Sequence, residues 1–134
     1  QLMKGRDTSE LETIGLIPDI TVKRCDKAYG FVKNMSDMDK ADITVCHNEL
    51  LKYAFSGGFD LVILDEFNSA YGYGLMDKVL AEKLIIDGKN KAEIVLTGRN
   101  PAEIFIDNAD YISEICCLKH PYQNGVTARK GIEY

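Results

Sequence analysis

The sequence predicts an α/β protein in three layers, with a doubly wound, mainly parallel sheet. Two observations carry that expectation. Short apolar runs alternate along the chain with longer stretches of helical spacing, the pattern of parallel βαβ units. The central run, Leu61 to Leu64, is four apolar residues in a row, which suits a strand buried on both faces of a parallel sheet. With 134 residues, of which 46% are hydrophobic and 28% charged, the chain has enough material for one domain with a real core. No internal repeat or linker divides it, so residues 1–134 are expected to form a single domain.

The elements follow in order. Gln1 to Gly5 reads like the tail of a strand, which suggests a chain that begins in the middle of a fold. Ser9 and Glu12 are spaced as a capping box for a short helix that stops at Gly15. Ile20 to Val22 is a short strand, and Ala28 to Asn34, with Tyr29, Gly30 and Phe31, an aromatic-rich loop. Ser36 with Asp39 marks a helix start, and Ile43, Cys46, Leu50, Tyr53 and Ala54 share one face of that helix. Gly57-Gly58 stops it before the Leu61 strand. A helix is expected from Leu75 to Asp87, with Val79, Leu80 and Leu84 inward and Gly88 as its stop. Ala92 to Leu96 is a strand ending in Thr97-Gly98-Arg99. Asn100, Pro101 and Glu103 are placed as N-cap, first and third residues of a helix running to about Ala109. Tyr111 to Leu118 is the last strand, and Lys119 to Tyr134 a tail without clear period.

Composition narrows the function classes. A net charge of −5 with no basic stripe speaks against nucleic-acid binding. No apolar run approaches the ~20 residues that cross a bilayer, and no signal peptide is read at the start. Cys25, Cys46, Cys116 and Cys117 form no Cys-x-x-Cys pair. They are expected to be reduced, buried thiols of a cytoplasmic protein. A metal role for Cys116 and Cys117 is disfavoured, because adjacent strand residues face opposite ways.

Chemistry is expected where strands end. In open α/β sheets ligands bind beyond the carboxyl ends of the strands. Asp65 and Glu66 leave the Leu61–Leu64 strand at that edge, where two acids offer hard oxygen ligands to Mg²⁺ on a nucleotide phosphate, as on a Walker B strand. An ordinary strand followed by two solvated acids is the competing reading. Thr97-Gly98-Arg99 and the Lys119-His120-Pro121 turn should reach the same edge. Each also has a plain reading, as a turn before a capped helix, a surface arginine and a turn histidine.

Taken together these segments resemble the P-loop type of ATP:corrinoid adenosyltransferases. The resemblance is carried by Asp60 to Asn68, Ile94 to Arg99, Ala109-Asp110, Lys119 to Tyr122, and the tail from Gly125 to Lys130-Gly-Ile-Glu-Tyr134, in the family's order. Gln1 to Gly5 is similar to the strand that follows the family's P-loop helix. The resemblance implies a P-loop NTPase fold lacking its Walker A strand, loop and helix, since no Gly-x-x-x-x-Gly-Lys-Thr/Ser occurs in these residues. Lys33 stands where the family often places a Trp two residues after the corrinoid-facing Phe31.

The resemblance also implies a mechanism. Co(I) of a corrinoid attacks the 5′ carbon of ATP and triphosphate leaves, so no general base is needed and the protein supplies position and charge stabilisation. Asp65 and Glu66 would be the catalytic, Mg²⁺-holding acids. Thr97, Gly98, Arg99, Lys119 and His120 would bind nucleotide, and Gly30 and Phe31 the corrinoid. An electron-donor flavoprotein is implied, and the sheet edge left open beside Leu61 to Leu64 without the Walker A strand is expected to pair chains into a homo-oligomer. A non-catalytic corrinoid- or nucleotide-binding domain is the alternative. A generic P-loop ATPase or kinase fits less well, because the signature loop is missing.

Overall fold

The computed structural model describes residues 1–4 and 9–129. They fall into two compact units, one of residues 1–4 and 23–109 and the other of residues 9–22 and 110–129. In the second unit, helix α1 spans Ser9–Ile14 and ends as expected, with the Gly15 N–H donating to the Leu11 carbonyl at 3.0 Å. The residue that would cap its start lies outside the described residues. Neither Ile20 to Val22 nor Tyr111 to Leu118 is a strand. Tyr111, Ile115 and Leu118 are exposed, so an apolar alternating segment finds no sheet partner there. A 3-10 turn, Pro121–Asn124, closes on Gly125 in the left-handed region at φ 76°.

The first unit holds the sheet. Helix α2, Asp37–Ala54, starts on the expected capping box: Ser36 Oγ accepts from the Asp39 N–H at 3.1 Å, and the Ser36 N–H donates to Asp39 Oδ2 at 3.2 Å. Hydrogen bonds from Ser36 and Lys27 to the Asp39 carboxylate hold its pKa below the ordinary value. Gly57 and Gly58, both at positive φ, break the helix. Strand β1, Leu61–Leu64, follows, then α3, Phe67–Gly72, α4, Lys78–Gly88, β2, Glu93–Leu96, and α5, Glu103–Asp107. β1 and β2 pair in parallel, with Leu61 opposite Glu93 and Leu64 opposite Leu96. The fold is therefore α/β with a two-stranded parallel sheet among the described residues.

Several sequence expectations are corrected. β1 is buried on one face: Val62 and Leu64 point into the core, whereas Leu61 and Ile63 are 52% and 56% exposed. α3 was not expected, and α4 begins at Lys78 rather than Leu75. Asp77 caps it, its carboxylate accepting from the Leu80 N–H at 3.0 Å. Leu75 and Met76 are buried in the connection, so their apolar spacing reflects packing of a loop. Val79 lies 76% exposed, not inward. Gly88 ends α4 for a packing reason, since a Cβ there would lie 2.6 Å from the Phe55 ring. Asn100 is no cap. It adopts φ 54°, and α5 starts two residues later behind Ala102 without a side-chain cap.

The core lies between β1 and the helices. Leu51, Val62, Leu64, Phe67, Ala81, Ile85 and Phe105 meet there, and Phe67, Tyr71 and Phe105 form an aromatic trio with ring centroids 5.0–5.9 Å apart. Tyr71 donates to Glu82; burial, with that carboxylate beside it, pushes the phenol up to about 12. A second cluster joins Cys25, Met35, Ile43 and Leu75. His47, fully buried on α2, donates from Nδ1 to the Leu75 carbonyl at 2.8 Å and accepts at Nε2 from the Met3 N–H at 3.2 Å. Among the described residues no helix is long and apolar enough to cross a membrane.

Cys25 and Cys46 form a disulfide with a Cα–Cα distance of 6.0 Å, and Cys116 and Cys117 are exposed free thiols. The expectation of four reduced, buried cysteines is thus overturned, and with it the argument from reduced thiols for a reducing compartment. The disulfide ties the segment before α2 to the middle of that helix, a pairing of partners 21 residues apart that no local spacing signals.

Two outcomes follow. Thiol titration of the unreduced, unfolded chain should find two reactive cysteines, those two being Cys116 and Cys117; four would contradict the disulfide. Closing a loop of this length should stabilise the fold by about 3 kcal/mol, so Cys46→Ser should lower the urea midpoint accordingly. Separately, burial pushes the His47 pKa below 6.5, outweighing the upward pull of the Leu75 carbonyl. The unfolded chain then binds the extra proton first, and stability present above about pH 6.5 is lost as the pH falls below it. Urea melts at pH 7.5 and 5.5 should show that loss, and His47→Gln should shrink the difference between the two; an unchanged difference would contradict the assignment.

Candidate functional site

The carboxyl ends of β1 and β2 meet at Thr97. The ladder continues past the strands, with the Thr97 N–H donating to the Leu64 carbonyl at 3.2 Å. The side chain then faces the acids. Thr97 Oγ1 donates to Asp65 Oδ1 at 2.9 Å and accepts from the Glu66 N–H at 3.0 Å. Its carbonyl accepts from the Asn68 N–H at 3.0 Å, in the first turn of α3. One residue just past β2 thus fixes three successive features: the Asp65 carboxylate, the Glu66 backbone and the start of α3.

Each acid has a further partner. Lys4 Nζ lies 2.8 Å from Asp65 Oδ2. Burial pushes the Asp65 carboxyl up, but hydrogen bonds from Lys4 and Thr97 and the Lys4 charge outweigh it and hold the group below the usual carboxylate range. Asp65 is therefore an anion with both oxygens engaged. Glu66 sits at φ 60°, in the left-handed region uncommon for a residue with a side chain. That backbone is held by the Thr97 hydroxyl, and the Glu66 Oε2 accepts from Ser69 Oγ at 3.0 Å. Ser69 Oγ in turn accepts from the Arg99 N–H at 3.3 Å. A strained residue kept in place by surrounding bonds is characteristic of functional sites.

Gly98 is required by close approach. It adopts φ 122°, and a Cβ there would lie 3.1 Å from the backbone nitrogens of Asn68 and Ser69. Asn68 is buried, and its Oδ1 has no hydrogen-bond partner among the described residues. Arg99 presents its side chain to solvent beside this network. The arrangement is a cluster of carboxylate and hydroxyl oxygens at the end of the sheet, with the Lys4 ammonium beside it and Arg99 exposed next to it. Hard cations and phosphates are the ligands such groups hold.

A sequence model of one family, described as ATP:corrinoid adenosyltransferase BtuR/CobO/CobP, matches residues 1–134. The chain belongs to this family. A corrinoid adenosyltransferase of Sinorhizobium sp. is 36% identical over 75 residues, 55% of this chain and 35% of the relative. A corrinoid adenosyltransferase of Pseudomonas aeruginosa is 38% identical over 76 residues, 55% of this chain and 36% of the relative. The match thus spans about a third of the length of these curated relatives. No solved structure matches the chain.

Of the family-derived site residues, the structure brings Asp65, Glu66, Thr97, Gly98 and Arg99 together. Lys119 and His120 lie in the other unit, on and before the Pro121–Asn124 turn, where His120 Nδ1 accepts from the Tyr122 N–H at 3.1 Å. The expected last strand, Tyr111 to Leu118, which would have delivered them to the sheet edge, is not formed. Gly30, at φ 74°, and Phe31, 76% exposed, stand in the loop before α2. Lys4, His47 and Ser69 escaped sequence reasoning. Ser69, in the first turn of α3 and three residues after Glu66, was visible as spacing; Lys4 reaches Asp65 through a contact distant in sequence, and His47 contacts Met3 and Leu75 in the same way.

Thr97→Val should leave the Glu66 N–H and the Asp65 Oδ1 without their partner and cost about 1–2 kcal/mol in a denaturant melt. Thr97→Ser should retain most of that stability. A loss in Thr97→Ser with none in Thr97→Val would show that the methyl, not the hydroxyl, matters. Gly98→Ala should destabilise by roughly 1–3 kcal/mol, from positive φ and contact with α3.

Proposed function

We propose that the protein transfers the 5′-deoxyadenosyl group of ATP to the Co(I) of a corrinoid, releasing triphosphate. The observation that supports this most is the Thr97-held acid pair at the end of β1, within a chain of the corrinoid adenosyltransferase family. In this reading Co(I) donates an electron pair to the ATP 5′ carbon, the carbon–oxygen bond breaks, and its electrons leave with the triphosphate. The chain's part is to place the two reactants in line and to stabilise the growing charge on the leaving group. Arg99, Thr97 and Gly98 border the nucleotide, and Gly30 with Phe31 faces the corrinoid.

The residues present fit Mg²⁺ carried on a phosphate. Among the described residues no three His, Cys, Asp or Glu side chains gather to hold a metal. Two carboxylates flanked by two hydroxyls suit an ion that keeps waters and phosphate oxygens as its other ligands. Asp65 and Glu66 would hold it, and when bound it would neutralise charge on the triphosphate. The remaining parts of the proposal are a three-layer, doubly wound P-loop-type sheet with residues 1–134 in one adenosyltransferase domain, a homo-oligomer, a flavoprotein electron donor and a cytoplasmic location, where ATP is supplied.

The test uses the full-length protein with a chemically reduced corrinoid, ATP and Mg²⁺, following the cobalt–carbon bond by absorbance and triphosphate by chromatography. Glu66→Gln, which should fold normally, is expected to lower the rate about 100-fold, the loss of about 2.7 kcal/mol of transition-state stabilisation. Full activity in that variant would remove the acid pair from the mechanism. Corrinoid or nucleotide binding without any transfer by the wild type would favour a binding domain instead.

A further inference from the structure

Lys4 stands beside the acid pair at the end of β1. Its ammonium lies 2.8 Å from Asp65 Oδ2, and the two side chains are 34% and 31% exposed, so an anion arriving from solvent can reach it. Ion pairs this exposed contribute little by themselves. A triphosphate, with several charges and many acceptor oxygens, is a stronger partner for an ammonium than a single carboxylate. Lys4 can therefore exchange Asp65 for phosphate, leaving that carboxylate to a cation.

What sets Lys4 there is the two residues before it. Leu2 is buried in the core, and its N–H donates to the Asp65 carbonyl at 3.0 Å. Met3, at φ 59°, donates its N–H to His47 Nε2 at 3.2 Å. The other ring nitrogen of His47 faces the Leu75 carbonyl at 2.8 Å. A carbonyl can only accept and an N–H can only donate, so both bonds are made by one form of the ring, neutral with its proton on Nδ1. α2 thus reaches across through a buried imidazole to grip the backbone one residue ahead of Lys4.

We propose that Lys4 is a polyphosphate-binding residue and that His47 is the positioning residue that aims it, through the Met3 N–H. The inference rests on the reading of Asp65 and Glu66 as the triphosphate end of the site. Its test is separate from adenosyl transfer: titration calorimetry of Mg²⁺ with inorganic tripolyphosphate on the full-length protein. Lys4→Ala should weaken binding about tenfold or more, as expected for a lost charge-assisted hydrogen bond, with Lys4→Arg close to wild type. His47→Ala should weaken it too, His47→Gln should restore much of the loss, and His47→Ala with Lys4→Ala should bind no worse than Lys4→Ala alone. Should His47→Ala fail to fold, the Lys4 pair and the comparison of His47→Gln with wild type still decide. Wild-type binding matched by Lys4→Ala, or additive losses in the double variant, would overturn this inference and leave the acid-pair reading intact. A wild type that takes up no tripolyphosphate would overturn both.

Discussion

The Thr97 hydroxyl is one oxygen with two duties, donating to Asp65 and accepting from Glu66, and the rest of the site hangs on its position. That position is set by the parallel pairing of β1 with β2, because the same residue extends the ladder through its N–H to Leu64. The hydroxyl also holds the Glu66 backbone in the left-handed region. With that turn made, Asn68 bonds to the Thr97 carbonyl, α3 begins, and Ser69 comes round to meet both Glu66 and the Arg99 backbone. Gly98 is the steric counterpart, since only a residue without Cβ lets the β2 turn approach α3 so closely. A short sheet thereby positions two carboxylates, a serine and an arginine with few degrees of freedom.

What the sequence disclosed was what short-range physics decides. The Ser36–Asp39 capping box, the Gly57-Gly58 break and the two apolar strands are each specified by neighbouring residues, and they stand where expected. Asp65, Glu66, Thr97, Gly98 and Arg99 were legible because parallel strands deliver their carboxyl ends to one edge. The misses share a cause. Asn100 and Pro101 carry the residue types of a helix start, but the backbone there turns through positive φ to follow Gly98. Leu75 and Met76 mimic helical spacing because a buried connection needs apolar side chains too. Tyr111 to Leu118 alternates as a strand does, yet a strand exists only where a partner strand is available.

The long-range links were invisible for the same reason. Neither the Cys25–Cys46 disulfide nor the contacts of His47 with Met3 and Leu75 leave a periodic trace. They nevertheless tie the opening residues, the loop before α2 and the α3–α4 connection to one helix. α2 is therefore the element that places both Lys4 and the segment carrying Phe31, while the sheet places the acids.

The most direct measurement is a crystal structure of the full-length protein with Mg²⁺, ATP and a corrinoid. The account expects the metal on Asp65 or Glu66, directly or through one water, with the Thr97 bridge intact and the triphosphate at the β1–β2 edge. A triphosphate bound elsewhere, with both carboxylates left to Thr97, Lys4 and Ser69, would contradict it.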